Sequence, residues 1–243
     1  MVVLATKCYV GGDARDRAMD SLTSQVANSL GDLDVEADVG LREDDFPTVT
    51  VSGPDETVAR NVLAEEWGEL TPQTRAGDVA VGTLDSWDDA GFVLDVGFGD
   101  SVRIPAEEIG LGQGAPEQIR TRFGLVQHLP LRYVAGEGGS EDETEDGSGV
   151  ADRRRGTPAR LADDERDRLY DWTRGDGRVN VNSATRSEVR ATVNRAGHAE
   201  DIVTVERLGL LEQSIVCREG TDPPGLLASI GEYLPAELLC VVP

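Results

Sequence analysis

Lysine is almost missing from this chain. Lys7 is the only one among 23 basic residues, so 22 arginines face 46 aspartates and glutamates, for a formal net charge of −23. Ordinary proteins use both basic residues freely, and a groove built to hold phosphates normally clusters them. The acidity of the central stretch therefore argues against a simple phosphate-binding groove there, and the lysine deficit needs a cause of its own. A surface dense in carboxylates suits a cell interior at very high salt, where the Debye length shrinks to about 3 Å or less and like-charge repulsion is screened. The expectation is a protein of a halophilic archaeon.

Cysteine is scarce as well. Cys8, Cys217 and Cys240 lack any paired spacing, which speaks against a disulfide framework and a zinc knuckle. No apolar run approaches the roughly 20 residues that cross a bilayer. The opening stretch Met1–Val10 is too short, and too soon followed by charges, to be a signal peptide. These absences lead to the expectation of a soluble, cytoplasmic protein with no membrane partner, cofactor or metal.

Organisation is easier to read. The segment from Ala135 to Gly156 is rich in Gly, Ser, Glu and Asp with almost no apolar residue, the composition of a disordered acidic linker, placed at 136–158. It separates unequal halves: residues 1–150 carry 30 acidic and 10 basic side chains, residues 151–243 carry 16 and 13. Before it, residues 1–72 read as β-α-β-β-α, with a helix capped by Asp13 and stopped at Gly31 and a second helix opening at Pro54 and ending at Gly68. Residues 73–135 turn to short strands with glycine turns and one helical piece, the pattern of a small barrel of oligonucleotide-binding (OB) type. After the linker, residues 159–243 read as a helix followed by β-α-β-β-α-β. The fold class expected is α+β: a ferredoxin-like domain, an OB-like barrel, the linker and a second ferredoxin-like domain.

Catalytic signatures are sparse. His128 lies in an apolar run and His198 in a turn, each without a nucleophile motif beside it. Gly110–Gly114 lacks the strand–helix setting of a phosphate loop. Carboxylate pairs such as Asp44/Asp45 and Glu107/Glu108 are unremarkable in so acidic a chain. The expectation is a non-enzymatic protein.

Three stretches resemble known modules. The run from Gly77 through "GFVLDVG" to "SVRIPAEEIG" resembles the S-one-type RNA-binding domain, an OB-fold family. The resemblance places an aromatic, Phe92, and a residue three strands into the sheet, Arg103, on an RNA face, and Trp87 in the adjoining turn supplies a further stacking platform. The competing reading is that Phe92 and Trp87 fill a small barrel, as large aromatics commonly do. The second stretch, "TDPPGLLASI", is similar to the ligand turn of ACT domains. It implies small-molecule sensing at Asp222, Pro224 and Gly225, although here the turn follows the third strand instead of the first. Its alternative is a well-formed helix start. The third, "VNVNSATRSEVRATVNRAG", is similar to helix-hairpin-helix DNA-binding modules but lacks their Gly-x-Gly turn. Arg186 and Arg190 flank its apolar stripe of Val189, Val193 and Ala196 and form a small cationic patch.

The element order, with "RFGLVQHLPLR", "VERLGLLE" and "CREGTDPPGLL", resembles an archaeal family of unknown function, domain-of-unknown-function family 2110, over essentially the full length. A ferredoxin-like domain joined to an S-one-type barrel is also similar to the stalk subunit of archaeal RNA polymerase. The leading expectation is therefore a protein that binds single-stranded RNA or a ribonucleoprotein or polymerase complex in translation, transcription or RNA processing. The alternatives are a ligand-sensing regulator and a protein-only scaffold.

Overall fold

The computed structural model describes residues 1–137 and 157–243. Most of the linker lies outside the described residues. Among those described, the chain forms three antiparallel sheets and six α-helices.

The first sheet holds β1 (Val2–Val3), β2 (Glu36–Leu41) and β3 (Pro47–Ser52) in the order β1-β3-β2. β3 buries Pro47, Val49 and Val51 and turns Thr48, Thr50 and Ser52 away, the period-two pattern that selects a half-buried strand. The helices α1 (Gly12–Ser29) and α2 (Glu56–Trp67) lay Ala18, Leu22 and Val26, and Ala59, Leu63 and Trp67, onto that face. Gly11 is the N-cap of α1 and offers no side-chain cap; Asp13 lies inside the first turn, where its charge complements the helix dipole. The fourth strand that the sequence reading left unplaced is reduced to one bridge, Leu4 with Glu69.

The central sheet runs in the order β6-β5-β4-β7-β8, from β4 (Val79–Asp88), β5 (Gly91–Gly97), β6 (Asp100–Pro105), β7 (Pro130–Val134) and β8 (Arg160–Leu161). It is open, which corrects the expected closed barrel. β6 and β8 sit at its two ends with no ladder between them; β8 is two residues long and pairs with β7, Arg160 with Val134 and Leu161 with Tyr133. Gly91 starts β5 with φ 145°, and a Cβ there would lie 2.0 Å from the Ile104 carbonyl oxygen, so only glycine lets the β5–β6 hairpin close. α3 (Pro116–Phe123) and α4 (Asp163–Trp172) cover the sheet. The sequence reading grouped α4 with the last domain; instead its Leu169 and Trp172 enter the central core beside Phe92, Leu94 and Ile104. Arg132 on β7 holds it in place, 3.2 Å from Glu165, whose carboxylate is buried.

The third sheet contains β9 (Arg178–Val181), β10 (Ile202–Arg207), β11 (Gln213–Cys217) and β12 (Leu238–Val241), ordered β10-β11-β9-β12 with all neighbours antiparallel. α5 (Arg186–Arg195) and α6 (Pro223–Gly231) pack Val189, Val193, Leu226 and Ile230 on it. Thr185 caps α5 in a reciprocal box with Glu188: the Glu188 N–H donates to Thr185 Oγ1, and the Thr185 N–H donates to Glu188 Oε2 at 2.9 Å.

The three units share cores. Leu210 and Leu211, from the β10–β11 turn, enter the first core, and Val241 of β12 enters the central one. Arg120 of α3, 7% exposed along its side chain, donates to Glu237 at 2.7 Å and to the Leu125 carbonyl. No helix is long and apolar enough to cross a membrane among the described residues.

Candidate functional site

Strand alternation decides where the hairpin residues point. Phe92 pairs across the ladder with Ile104, and Val93 with Arg103. Phe92 is fully buried with Leu84, Leu94 and Ile104, so it belongs to the core and has no face for a base to stack on. This corrects the expectation of Phe92 on an RNA face. Arg103, on the opposite side of the sheet, is exposed and donates to Asp88 at 2.9 Å. The guanidinium in turn holds the Asp88 carboxyl below the usual carboxylate range.

Trp87 is half-buried, and a cation covers one side of its ring. The Arg120 guanidinium stacks 3.9 Å from the ring centroid. Arg120 is itself fixed by Glu117 and Glu237, so Trp87 works as a lid on the central core.

A cleft of about 560 Å³ opens along the free edge of β6. Val93, Val102 and Arg103 of the hairpin, Tyr133 and Ala159 of the β7–β8 side, and Phe98 of the β5–β6 turn are among the residues that line it. Phe98 has a left-handed backbone, φ 61°, stabilised by its N–H donating to Asp44 Oδ2 at 3.1 Å. The Arg42 guanidinium lies 4.4 Å from the Phe98 ring and bonds Asp44 through two nitrogens, at 2.9 and 3.0 Å. Burial alone would raise the Asp44 carboxyl, but the Arg42 hydrogen bonds and the Phe98 N–H outweigh it and hold that carboxyl below its ordinary value. Phe98 was not among the residues the sequence singled out. Its role arises from Asp44 and Arg42, far away in the chain.

Arg186 and Arg190 are exposed on α5, one turn apart, and neither forms an ion pair among the described residues. A second, smaller groove of about 310 Å³ runs between α1 and α5 past Arg17, Arg195 and Tyr233; it does not include Arg186 or Arg190. The turn expected to sense a ligand is used otherwise. Asp222 Oδ2 accepts the Gly225 N–H at 3.2 Å and caps α6. A Cβ on Gly225 would lie 2.6 Å from that carboxylate oxygen, so glycine makes room for the cap itself. Pro224 is exposed in the first turn. Neither cleft reaches these three residues.

A buried polar junction joins all three units, with no local pattern to announce it. The Tyr9 hydroxyl donates to Glu212 Oε1 at 2.8 Å and accepts the Ser183 N–H at 2.9 Å. The His128 ring lies over Tyr9, with centroids 4.0 Å apart. Glu212 is wholly buried, and burial pushes its carboxyl up to about 8 despite the Tyr9 hydrogen bond. Burial likewise lowers His128 and raises Tyr9. The left-handed backbone at His128, φ 66°, and at Ser183, φ 57°, marks both as held by surrounding structure.

Among the described residues no cluster of three or more His, Cys, Asp or Glu is placed to hold a metal. Cys8 and Cys217 are buried thiols, each pushed up by burial to about 11, which makes them poor nucleophiles.

Three family models match the chain in sequence order: the DUF2110 N-terminal domain over residues 1–73, the DUF2110 central domain over 74–173 and the DUF2110 C-terminal domain over 176–242. No curated protein matches it.

Proposed function

The chain belongs to the DUF2110 family through all three of its domains, and because that membership brings a layout without an activity, we propose from the geometry that its principal work is to bind single-stranded RNA, or a ribonucleoprotein or polymerase complex that presents it, in the cleft along β6. One observation carries the reading: Arg103 and Phe98 both line that cleft.

The layout supports it. In an OB-type module, oligonucleotides cross the second and third strands between the loops that follow the first and fourth. β5 and β6 are the second and third strands of the central sheet, and Ala135, Gly136 and Glu137, just after its fourth strand, line the same cleft. On this reading the central unit is an OB barrel left open between β6 and β8. The third unit is ferredoxin-like, its strand order being 4-1-3-2 in its own numbering. Asp100, Arg103 and Glu137 are the charged residues on the cleft, so stacking and directed hydrogen bonds supply affinity here more than charge does. That balance suits the salt-filled cytoplasm of a halophilic archaeon, to which the single lysine points.

Fluorescence anisotropy of a labelled single-stranded RNA, with the protein in molar KCl, tests the proposal. Arg103→Ala and Phe98→Ala are each expected to weaken binding about tenfold, within the range for loss of one stacked base. Wild-type protein that leaves the RNA free, or variants that bind as wild type does, would sink the reading.

A further inference from the structure

His198, which the sequence leaves in a turn with no nucleophile nearby, acquires two partners in the folded chain. The turn after α5 is pinned by the His198 N–H donating to the Val193 carbonyl, and the Asp201 N–H donating to the His198 carbonyl. The Asp201 carbonyl then accepts the Arg218 N–H and the Thr221 hydroxyl. This frame sets His198 Nδ1 2.7 Å from Asp201 Oδ2. On the other side of the ring, His198 Nε2 lies 2.8 Å from the Ser229 hydroxyl on α6.

The chemistry of the partners assigns the tautomer. A carboxylate only accepts hydrogen bonds, so Nδ1 carries the proton and Nε2 turns its lone pair to the serine. Carboxylate, imidazole and hydroxyl thus stand in the order that activates serine for acyl transfer, an arrangement recognised by geometry and roles wherever it occurs. The His198 side chain is 27% exposed and Ser229 is half-buried, so a small molecule reaches both from solvent.

We propose that Ser229 is a nucleophile, with His198 as its general base and Asp201 as the positioning residue, and that it accepts acyl groups from small activated esters. This site stands apart from the β6 cleft and does not rest on the RNA reading. Ser229 Oγ attacks the carbonyl carbon as its proton passes to His198 Nε2. The bond to the leaving oxygen breaks, and that proton departs with the alcohol. Water, deprotonated by the same Nε2, then splits the acyl-serine into carboxylic acid and free serine. No oxidant or metal enters the balance. Ser229 lies within α6, where backbone N–H groups are spent on the helix, so its own helix offers no amide cradle for the oxyanion. Acceleration is then limited to what a positioned base supplies, about 10²–10⁴-fold. An alkyl acyl-serine is a far poorer ester than the donor, so acylation outruns hydrolysis.

The test is p-nitrophenyl acetate with the full chain in molar KCl, followed by mass mapping of the acetyl group. The expected result is a burst of nitrophenolate approaching one equivalent per chain, with acetyl on Ser229. Ser229→Ala, which removes one half-buried oxygen, is expected to lose the burst. His198→Gln is expected to slow it at least tenfold, and His198→Ala to recover rate when imidazole is added. Asp201→Asn is expected to slow it too, with the rate less steeply restored by imidazole. Thermal melts identify folded variants. Absence of acetyl from Ser229 in the wild type overturns the proposal by itself, as does equal labelling of folded His198→Gln.

Discussion

The Tyr9 hydroxyl donates to the Glu212 carboxylate across 2.8 Å, although 203 positions separate them in the chain. With Ser183 donating to the same hydroxyl, this contact fastens the first unit to the third, and His128 stacks on it from the second. It also makes stability depend on pH. The folded carboxyl titrates at about 8 against an ordinary 4.5, so between those values the native state keeps a proton that the unfolded chain releases. Stability is then complete below the ordinary value and falls as pH rises through the folded one. A loss on the order of 5 kcal/mol accumulates by about pH 9. Glu212→Gln keeps an acceptor for Tyr9 and removes the charge, so its urea midpoint is expected to stay level where that of the wild type falls. Parallel curves for the two proteins would refute the assignment. Tyr9→Phe strands both Glu212 Oε1 and the Ser183 N–H, and is expected to cost about 2 kcal/mol.

Phe92 and Arg103 sit on opposite sides of one hairpin, and substitution separates them. Phe92→Ala empties a ring-sized space among Leu84, Leu94 and Ile104 and is expected to cost about 3–5 kcal/mol in denaturant unfolding. Arg103→Ala loses an exposed pair with Asp88 and is expected to change stability by no more than about 1 kcal/mol. Equal costs would mean that the strand is turned over.

Arg120 is the buried cation most exposed to this kind of test. Its side chain bridges Glu237, Glu117 and the Leu125 carbonyl beneath the Trp87 ring. Arg120→Ala leaves Glu237 with the Gln127 N–H as its remaining partner at that carboxylate, and a loss of about 1–3 kcal/mol is expected, since Glu237 is still partly reached by water. Trp87 fluorescence should shift to the red as its cover is removed; an unshifted spectrum with full stability would contradict the packing.

Salt provides the broadest test. With 46 carboxylates against 23 cations, repulsion destabilises the compact state at low ionic strength and is screened as KCl rises. Unfolding midpoints are expected to climb steadily into the molar range. A maximum near zero salt would remove the halophilic reading.

Much of this was legible from the residues. β3, β5 and β9–β12 with their intervening helices follow from short-range pattern: alternation in "PTVTVS", the capping box of Thr185 and Glu188, the proline and glycine that bracket α2 and α6. The shape of the "DPPG" turn also has a local cause, since Asp222 caps its own helix. The barrel expectation differs from the open sheet because closure depends on a ladder between β6 and β8, far apart in the chain, and β8 pairs with β7 alone. The docking of α4 was not legible either: its apolar residues suit any core, and only packing places Leu169 and Trp172 in the central one.

By itself, then, the sequence determined composition, local elements and the strand order's ingredients, because propensity, capping and period-two burial act over a few neighbouring residues. Only the tertiary structure decided that Phe92 points inward while Arg103 and Phe98 face a cleft, and that Tyr9 meets Glu212. It alone brought Ser229 to His198. Each depends on register and on packing between units, where partners lie tens to hundreds of residues apart and no local pattern records the encounter.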